Sequence, residues 1–310
     1  MISKWKLKAV VQKCISFMPC RERVNYLFQK HVTHGVELTD EHFGFKVGHA
    51  WDHINYFRKY GEPGPDKKIL ELGTGWYPVV PLFMYLSKSG RVTSLDIRSW
   101  MTRERQLATI NKLMEWKDNG KLDPYFAAFD QERWEILHKI YLQADDYQSH
   151  DINRIIEFEP LIKDASSTDL PEKSFDMICS NNTFEHIPAQ VLKSILLEFK
   201  RLIRDDGVMS HFIDMSDHFA HFDDKINIYN FLRFSKKSWK IIDNRIQPQN
   251  RMRYRDYTEL YQEIGIPLTE EKIFEGDQQK LTEIQIHPEY KDYSAAELAI
   301  SHAYMVSKMT

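Results

Sequence analysis

Lys68-Ile-Leu-Glu-Leu-Gly-Thr-Gly-Trp-Tyr-Pro78 is the stretch on which the fold turns. Residues 68–72 form a short apolar run of strand length, and a helical apolar pattern begins at 79. Between them, Gly73 and Gly75 permit a tight turn and let a ligand approach the backbone. A glycine pair alone is a weak signal. Its setting strengthens it, because a second strand at 92–96 ends in Ser94-Leu95-Asp96. Asp96 lies 21 residues beyond Gly75, close to the offset at which a carboxylate meets a bound ribose. Two ribose hydroxyls need a bidentate acceptor, and a carboxylate at a strand's C-terminal end supplies one.

Working outward, apolar runs alternate with helical periodicity. Helices are expected over 79–87, 103–116 and 191–203, and strands over 161–164, 175–180 and 208–214. Such alternation predicts parallel βαβ units. Two stretches break the rhythm. Residues 118–158 are charged and aromatic and predict one or two extra helices. Residues 215–265 are polar and rich in His and aromatics, with a helix at 254–264 capped by Gly265. The tail at 302–308, HAYMVSK, reads as a last strand. Residues 1–64 form an N-terminal helical segment, with helices ending near Pro19, at 24–32 and at 51–60, closed by the breaker GEPGPD at 61–66. The main domain is expected over 65–310.

The chain has 310 residues, is 42% hydrophobic and 13% aromatic, and carries a net charge of −3. That composition suits a packed core rather than disorder, and gives a nucleic-acid partner no electrostatic support. Cys14, Cys20 and Cys179 have no metal-ligand spacing and fit a reduced, cytoplasmic setting. No apolar run approaches a membrane span. Residues 1–35 hold seven basic side chains against Glu22 alone. With Trp5, Leu7 and Phe17, the segment suits either a lid over a ligand or peripheral contact with an anionic membrane.

The motifs resemble those of the class I S-adenosyl-L-methionine-dependent methyltransferases. Glu71-Leu-Gly73-Thr-Gly75 matches the first part of that family's acid-x-Gly-x-Gly motif, with Tyr77 in place of the third glycine. Asp164-Ala165, the run 170–188 (LPEKSFDMICSNNTFEHIP), the run 201–210 (RLIRDDGVMS) and the final strand follow in the family's order. The resemblance implies an α/β Rossmann-like fold: a seven-stranded, mostly parallel sheet with helices on both faces. It implies S-adenosyl-L-methionine as cofactor. Glu71, Gly73, Thr74 and Gly75 would lie by its methionine part, Asp96 and Ile97 by the ribose, Asp164 and Ala165 by the adenine, and Asn181 near the sulfonium.

The acceptor side is read from residue chemistry. A hydroxyl nucleophile benefits from an imidazole base, so His218, His221 and His186 are candidates in that order. Asp214 should emerge at the sheet's carboxyl edge, where ligands bind in open α/β sheets. Arg251 and Arg253, in RIQPQNRMRYR at 245–255, are candidates for a substrate carboxylate or phosphate. The acceptor pocket is expected between the end of the fifth strand and 215–255. A metal site of Asp214, Asp217, His218 and His221 is set aside, because the family's cation-dependent members place their acids differently. O-methylation of a small-molecule or glycan-type acceptor is the expected function. N- or C-methylation on the same scaffold, and a non-catalytic binding protein, are the alternatives. Intact Gly73, Gly75 and Asp96 weigh against the last, and Tyr77 spoils the fingerprint of a nicotinamide-dependent dehydrogenase.

Overall fold

The computed structural model describes residues 3–28 and 36–310. The remainder of the helix expected at 24–32, and part of the basic N-terminal segment, lie outside the described residues. Seven strands form one sheet: β1 (Lys68–Leu72), β2 (Arg91–Asp96), β3 (Phe158–Ile162), β4 (Phe175–Asn181), β5 (Ile203–Asp214), β6 (Glu270–Phe274) and β7 (His302–Lys308). Their order is β3-β2-β1-β4-β5-β7-β6. β1 to β5 run parallel, while β7 lies antiparallel to both β5 and β6. β1 and β4 sit centrally and are largely buried on both faces, as strands covered from both sides must be.

Helices cover both faces. On one side pack α3 (Asp40–Tyr60), α4 (Val79–Leu86), α5 (Arg103–Asp118), α7 (Gln131–Leu142) and α8 (Ser149–Ile155). The short helix α6 (Asp123–Phe126) precedes α7. Every residue of α4 is buried, because it lies between the sheet and its neighbours α3 and α7. The other face carries α9 (Ala189–Leu202) and α11 (Tyr254–Ile264), which ends on Gly265 in the left-handed region at φ +66°.

A third apolar cluster stands apart from the sheet. α1 (Lys4–Ser16) contributes Trp5 and Ala9 to it, against Phe219, Phe231 and Trp239, the last on α10 (Lys236–Ile242). The Trp5 backbone N–H donates to Asp223 Oδ2 at 2.9 Å, and Lys13 Nζ donates to the Asp243 carbonyl at 2.6 Å. α1 therefore clamps the insertion. Leu7, Val10 and Phe17 remain exposed on its outer side, and no helix among the described residues is long and apolar enough to cross a membrane. α2 (Arg21–Phe28) follows it. α12 (Gln278–Thr282) and α13 (Ala295–Ala299) complete the insertion side.

Several boundaries differ from the sequence reading, for physical reasons. α3 begins at Asp40, not 51. Gly44 and Gly48 interrupt the apolar pattern of its first half, yet a Cβ at Gly44 would come within 3.1 Å of the Trp116 ring. The glycine that weakens the helix signal is the one that lets α3 approach α5. α3 also shares the main core through Phe43, Val47, Ile54 and Phe57. β3 lies earlier than 161–164 and contains Pro160, tolerated because β3 is an edge strand. β6 has no apolar run in the sequence because it is the opposite edge strand and mostly exposed. Residues 118–158 hold three α-helices rather than one or two.

Candidate active site

The C-terminal ends of β1, β2 and β4 open onto a cavity of about 500 Å³, walled by Gly73, Gly75, Asp96, Ile97, Asp164, Ala165 and Thr183 among others. Gly73 and Gly75 both take positive φ, +78° and +73°. A side chain at Gly73 would also place its Cβ 2.5 Å from Thr183 Oγ1. The turn therefore needs glycine twice over at that position. The Gly75 N–H donates to Asp96 Oδ2 at 3.2 Å, which ties the glycine turn to the end of β2. Burial raises the Asp96 carboxyl to about 6, against the opposing pull of the Gly75 N–H and of Lys46 on α3.

Glu71 lies beneath the turn rather than in the cavity wall. It is 3% exposed and accepts a hydrogen bond from the Thr74 hydroxyl, which in turn pairs with Ser94 Oγ at 2.7 Å. Burial raises its carboxyl to about 7. Glu71 and Thr74 thus shape the loop from within. Tyr77, in the position of the missing third glycine, is buried and donates to the Val36 carbonyl at 2.8 Å. It anchors the segment before α3 and does not fill the cavity.

Asp164 Oδ1 accepts from both the N–H and the hydroxyl of Ser166, at 2.8 and 2.7 Å, which fixes its carboxylate at the rim. Asn181 does not line the cavity. Its Oδ1 accepts from His53 Nε2 at 2.9 Å, while His53 Nδ1 pairs with Ser210 Oγ at 2.7 Å. The next residue, Asn182, at φ +47°, turns into the cavity instead. On the outer side, Asn25 of α2 enters the wall, and Tyr26 stacks on Trp76 with ring centroids 5.4 Å apart. Arg245 is the one arginine of the 245–255 run in this wall.

A second cavity, about 760 Å³, lies between the first half of α3 and the ends of β5, β6 and β7. His42, His49, Asp52, Phe212, Asp214, His221, His302 and Tyr304 line it, and Asn182 belongs to the walls of both cavities. The antiparallel register of β5 and β7 sets Asp214 opposite His302. Asp214 gathers imidazoles: His302 Nε2 at 3.3 Å, His218 Nε2 at 3.2 Å and His221 Nε2 at 3.9 Å. Burial alone would raise Asp214, but its contacts with His218 and His221 hold it well below the usual carboxylate range. The His221 imidazole is pushed up, chiefly by Asp214. His49 stacks on Phe212 with centroids 3.9 Å apart and pairs through Nδ1 with the Tyr304 hydroxyl at 2.6 Å.

The three imidazoles singled out from the sequence lie side by side, with ring centroids 4.9 Å apart for His186 and His218 and 5.7 Å for His218 and His221, but they do not line one cavity. His221 lines the second cavity, His186 lines the first, and His218 lines neither. Arg251 and Arg253 need correction. Arg253 is fully buried and its guanidinium donates to the Met215, Leu298 and Ile300 carbonyls. Arg251 donates to the Phe231 and Phe234 carbonyls. Both hold the insertion together, because an unpaired buried carbonyl needs a donor. The pocket expected between the fifth strand and 215–255 takes only Asp214 and His221 from that region. Its opposite wall is α3, from sequence that has no apparent motif. The antiparallel tail strand was the signal that could have found His302.

Residues 140–210 match the family model of the methyltransferase domain. No curated protein sequence matches the chain. Similar solved structures include geranyl diphosphate C-methyltransferase from Streptomyces coelicolor A3(2), at 9% identity over 86% of this chain and 79% of that one, TM-score 0.48. A putative sarcosine dimethylglycine methyltransferase from Galdieria sulphuraria shows 13% identity over 85% and 86%, TM-score 0.47. Phosphoethanolamine N-methyltransferase 2 from Haemonchus contortus shows 11% identity over 91% and 59%, TM-score 0.45. The seven-stranded sheet with its antiparallel β7 is an α/β Rossmann-like fold, and residues 140–210 of it are similar to a methyltransferase domain.

Proposed function

We propose that this chain is a class I methyltransferase that transfers the methyl group of S-adenosyl-L-methionine to a hydroxyl of a small polar or glycan-type acceptor held in the histidine-lined cavity. The observation that carries the reading is Asn182, the residue common to the walls of both cavities, which marks where cofactor and acceptor meet. S-adenosyl-L-methionine supplies an activated methyl group on a sulfonium leaving group. The chain's part is to hold the two reactants in line and to take a proton.

Asp96 accepts the ribose hydroxyls, and Gly73 and Gly75 admit the methionine part against bare backbone. Asp164, Ala165 and Ile97 border the adenine. Lys46 faces Glu71 and Asp96 from α3, a cationic position suited to the cofactor's carboxylate. As the acceptor oxygen forms its bond to the methyl carbon and the carbon–sulfur bond breaks, the hydroxyl proton passes to an imidazole. His221 is placed for that role by its position in the acceptor wall and by Asp214 beside it. His186 and His218 are not so placed.

A second reading, N-methylation, draws support from the aromatic and acidic side chains of the same cavity, Phe45, Phe212, Asp52 and Asp214, which suit a cationic amine. Incubation with methyl-labelled cofactor and parallel panels of sugars, polyols and amines separates the two. Label in an ether product supports hydroxyl transfer. Label confined to amines contradicts it.

A further inference from the structure

Beyond the proposed methyl transfer, on which this inference rests only for the naming of the cavities, Glu185 and His218 occupy defined positions and take no part in it. Glu185 sits on the 3-10 turn after β4 and is 2% exposed. Both of its carboxylate oxygens are buried without a hydrogen-bond partner. A buried carboxylate left unpaired is costly, so its neighbourhood should contain a positive charge or a proton. Two imidazoles stand beside it, and the Asp214 carboxylate nearby adds to the negative charge that needs offsetting. Ligand atoms of Glu185, His186 and His218 lie within 4.8 Å of one another. Asp214 Oδ2 stands 3.2 Å from His218 Nε2, yet that buried nitrogen makes no well-directed hydrogen bond to it.

His186 carries a further mark. Its Nδ1–H donates to the Pro248 carbonyl at 2.8 Å. That bond fixes the tautomer and leaves the Nε2 lone pair free, the arrangement found for imidazoles that ligate metals. The His186 and His218 rings stand 4.9 Å apart at 70°, so neither stacks on the other. Donor atoms about 2.1 Å from a tetrahedral ion are about 3.4 Å apart, a spacing that the Glu185, His186 and His218 ligand atoms, all within 4.8 Å of one another, reach with small side-chain adjustments.

We propose that Glu185, His186 and His218 bind a divalent transition-metal ion of the Zn²⁺ class. Two imidazoles in the set favour such an ion over Mg²⁺ or Ca²⁺, which prefer all-oxygen shells. The Glu185 carboxylate offsets part of its charge. The ion ties the turn after β4 to the segment that follows β5. It stands beside the first cavity, since His186 is in that wall. A rival triad, Asp214, His218 and His221, shares only His218 with this set, and the test separates the two.

The full chain is stripped with chelator and titrated with Co²⁺, read by visible d–d absorption and by metal analysis, with no activity measurement involved. The wild type takes up one Co²⁺ per chain, displaced by Zn²⁺. Glu185→Gln, which keeps size and shape, weakens uptake by roughly 100-fold or more, as does His186→Ala, while thermal melts confirm that each variant folds. His221→Ala keeps the site. No saturable band in the wild type overturns the proposal. So does undiminished uptake by folded Glu185→Gln, or loss in His221→Ala alone, which puts the ion at the rival triad.

Discussion

The two cavities that meet at Asn182 are built on different principles. The glycine-turn cavity is made by successive strand ends: Gly73 and Gly75 after β1, Asp96 at the end of β2, Asp164 after β3 and Thr183 after β4. The histidine-lined cavity is made by elements far apart in the chain, with His49 on α3, Asp214 closing β5 and His302 opening β7. The first is a property of the fold, repeated at one edge of one sheet. The second belongs to this chain, because specificity needs material that the shared core does not supply. Backbone conformation should therefore dominate the first site and side-chain chemistry the second.

The largest effect expected is at the glycine turn. Gly73→Val forces a β-branched residue to φ +78° and drives its Cβ into Thr183. Cofactor binding should fall by at least ~100-fold, measured by calorimetry, with the melting profile retained. Binding within a few-fold of wild type would mean that the turn is not part of the cofactor site.

Arg253→Met comes next and bears on the opposite region. It leaves three buried carbonyls without their donor and should cost about 3 kcal/mol of folding stability or more, read by denaturant unfolding. A variant of unchanged stability but raised Michaelis constant for the acceptor would restore the substrate contact that the structure denies it. His221→Ala should lower turnover by roughly 100-fold while leaving cofactor affinity intact. Full turnover would remove His221 as base and point to His42 or His49, the imidazoles of that cavity not paired to Asp214.

The smallest effect is a pH dependence. Burial raises Asp96 to about 6, so the folded chain without ligand holds a proton there that the unfolded chain has lost above about 4. Its contribution to folding stability is thus present at low pH and declines as pH rises from about 4 to about 6. Cofactor affinity runs the other way. The ribose hydroxyls need the ionised carboxylate, so affinity should fall as pH drops through about 6, with Glu71 and Lys46 the charged neighbours that modulate it. An affinity flat from pH 8 to 5 would show that Asp96 does not meet the ribose as an anion.

The contrast between the cavities also explains what was legible in the sequence. Gly73, Gly75 and Asp96 announce themselves because their spacing follows one βαβ unit. Asn181, the last residue of its strand, bonds to His53, and the left-handed residue after it, Asn182, lines the cavity instead. The arginines at 251 and 253 looked available because charge density in a sequence says nothing of buried carbonyls nearby. His49 and Lys46 give no signal, because the helix that presents them is broken in pattern by Gly48 and by Gly44, the second of which packs against Trp116.

The central claim is that the cavity at the ends of β1 to β4 holds the cofactor through Asp96. Calorimetric titration of the wild type and of Asp96→Asn with S-adenosylhomocysteine at pH 8 tests it most directly. One site per chain in the wild type, weakened in the variant by about 1.5–3 kcal/mol, is the predicted result. Equal affinity in both, or no binding by the wild type, would contradict it.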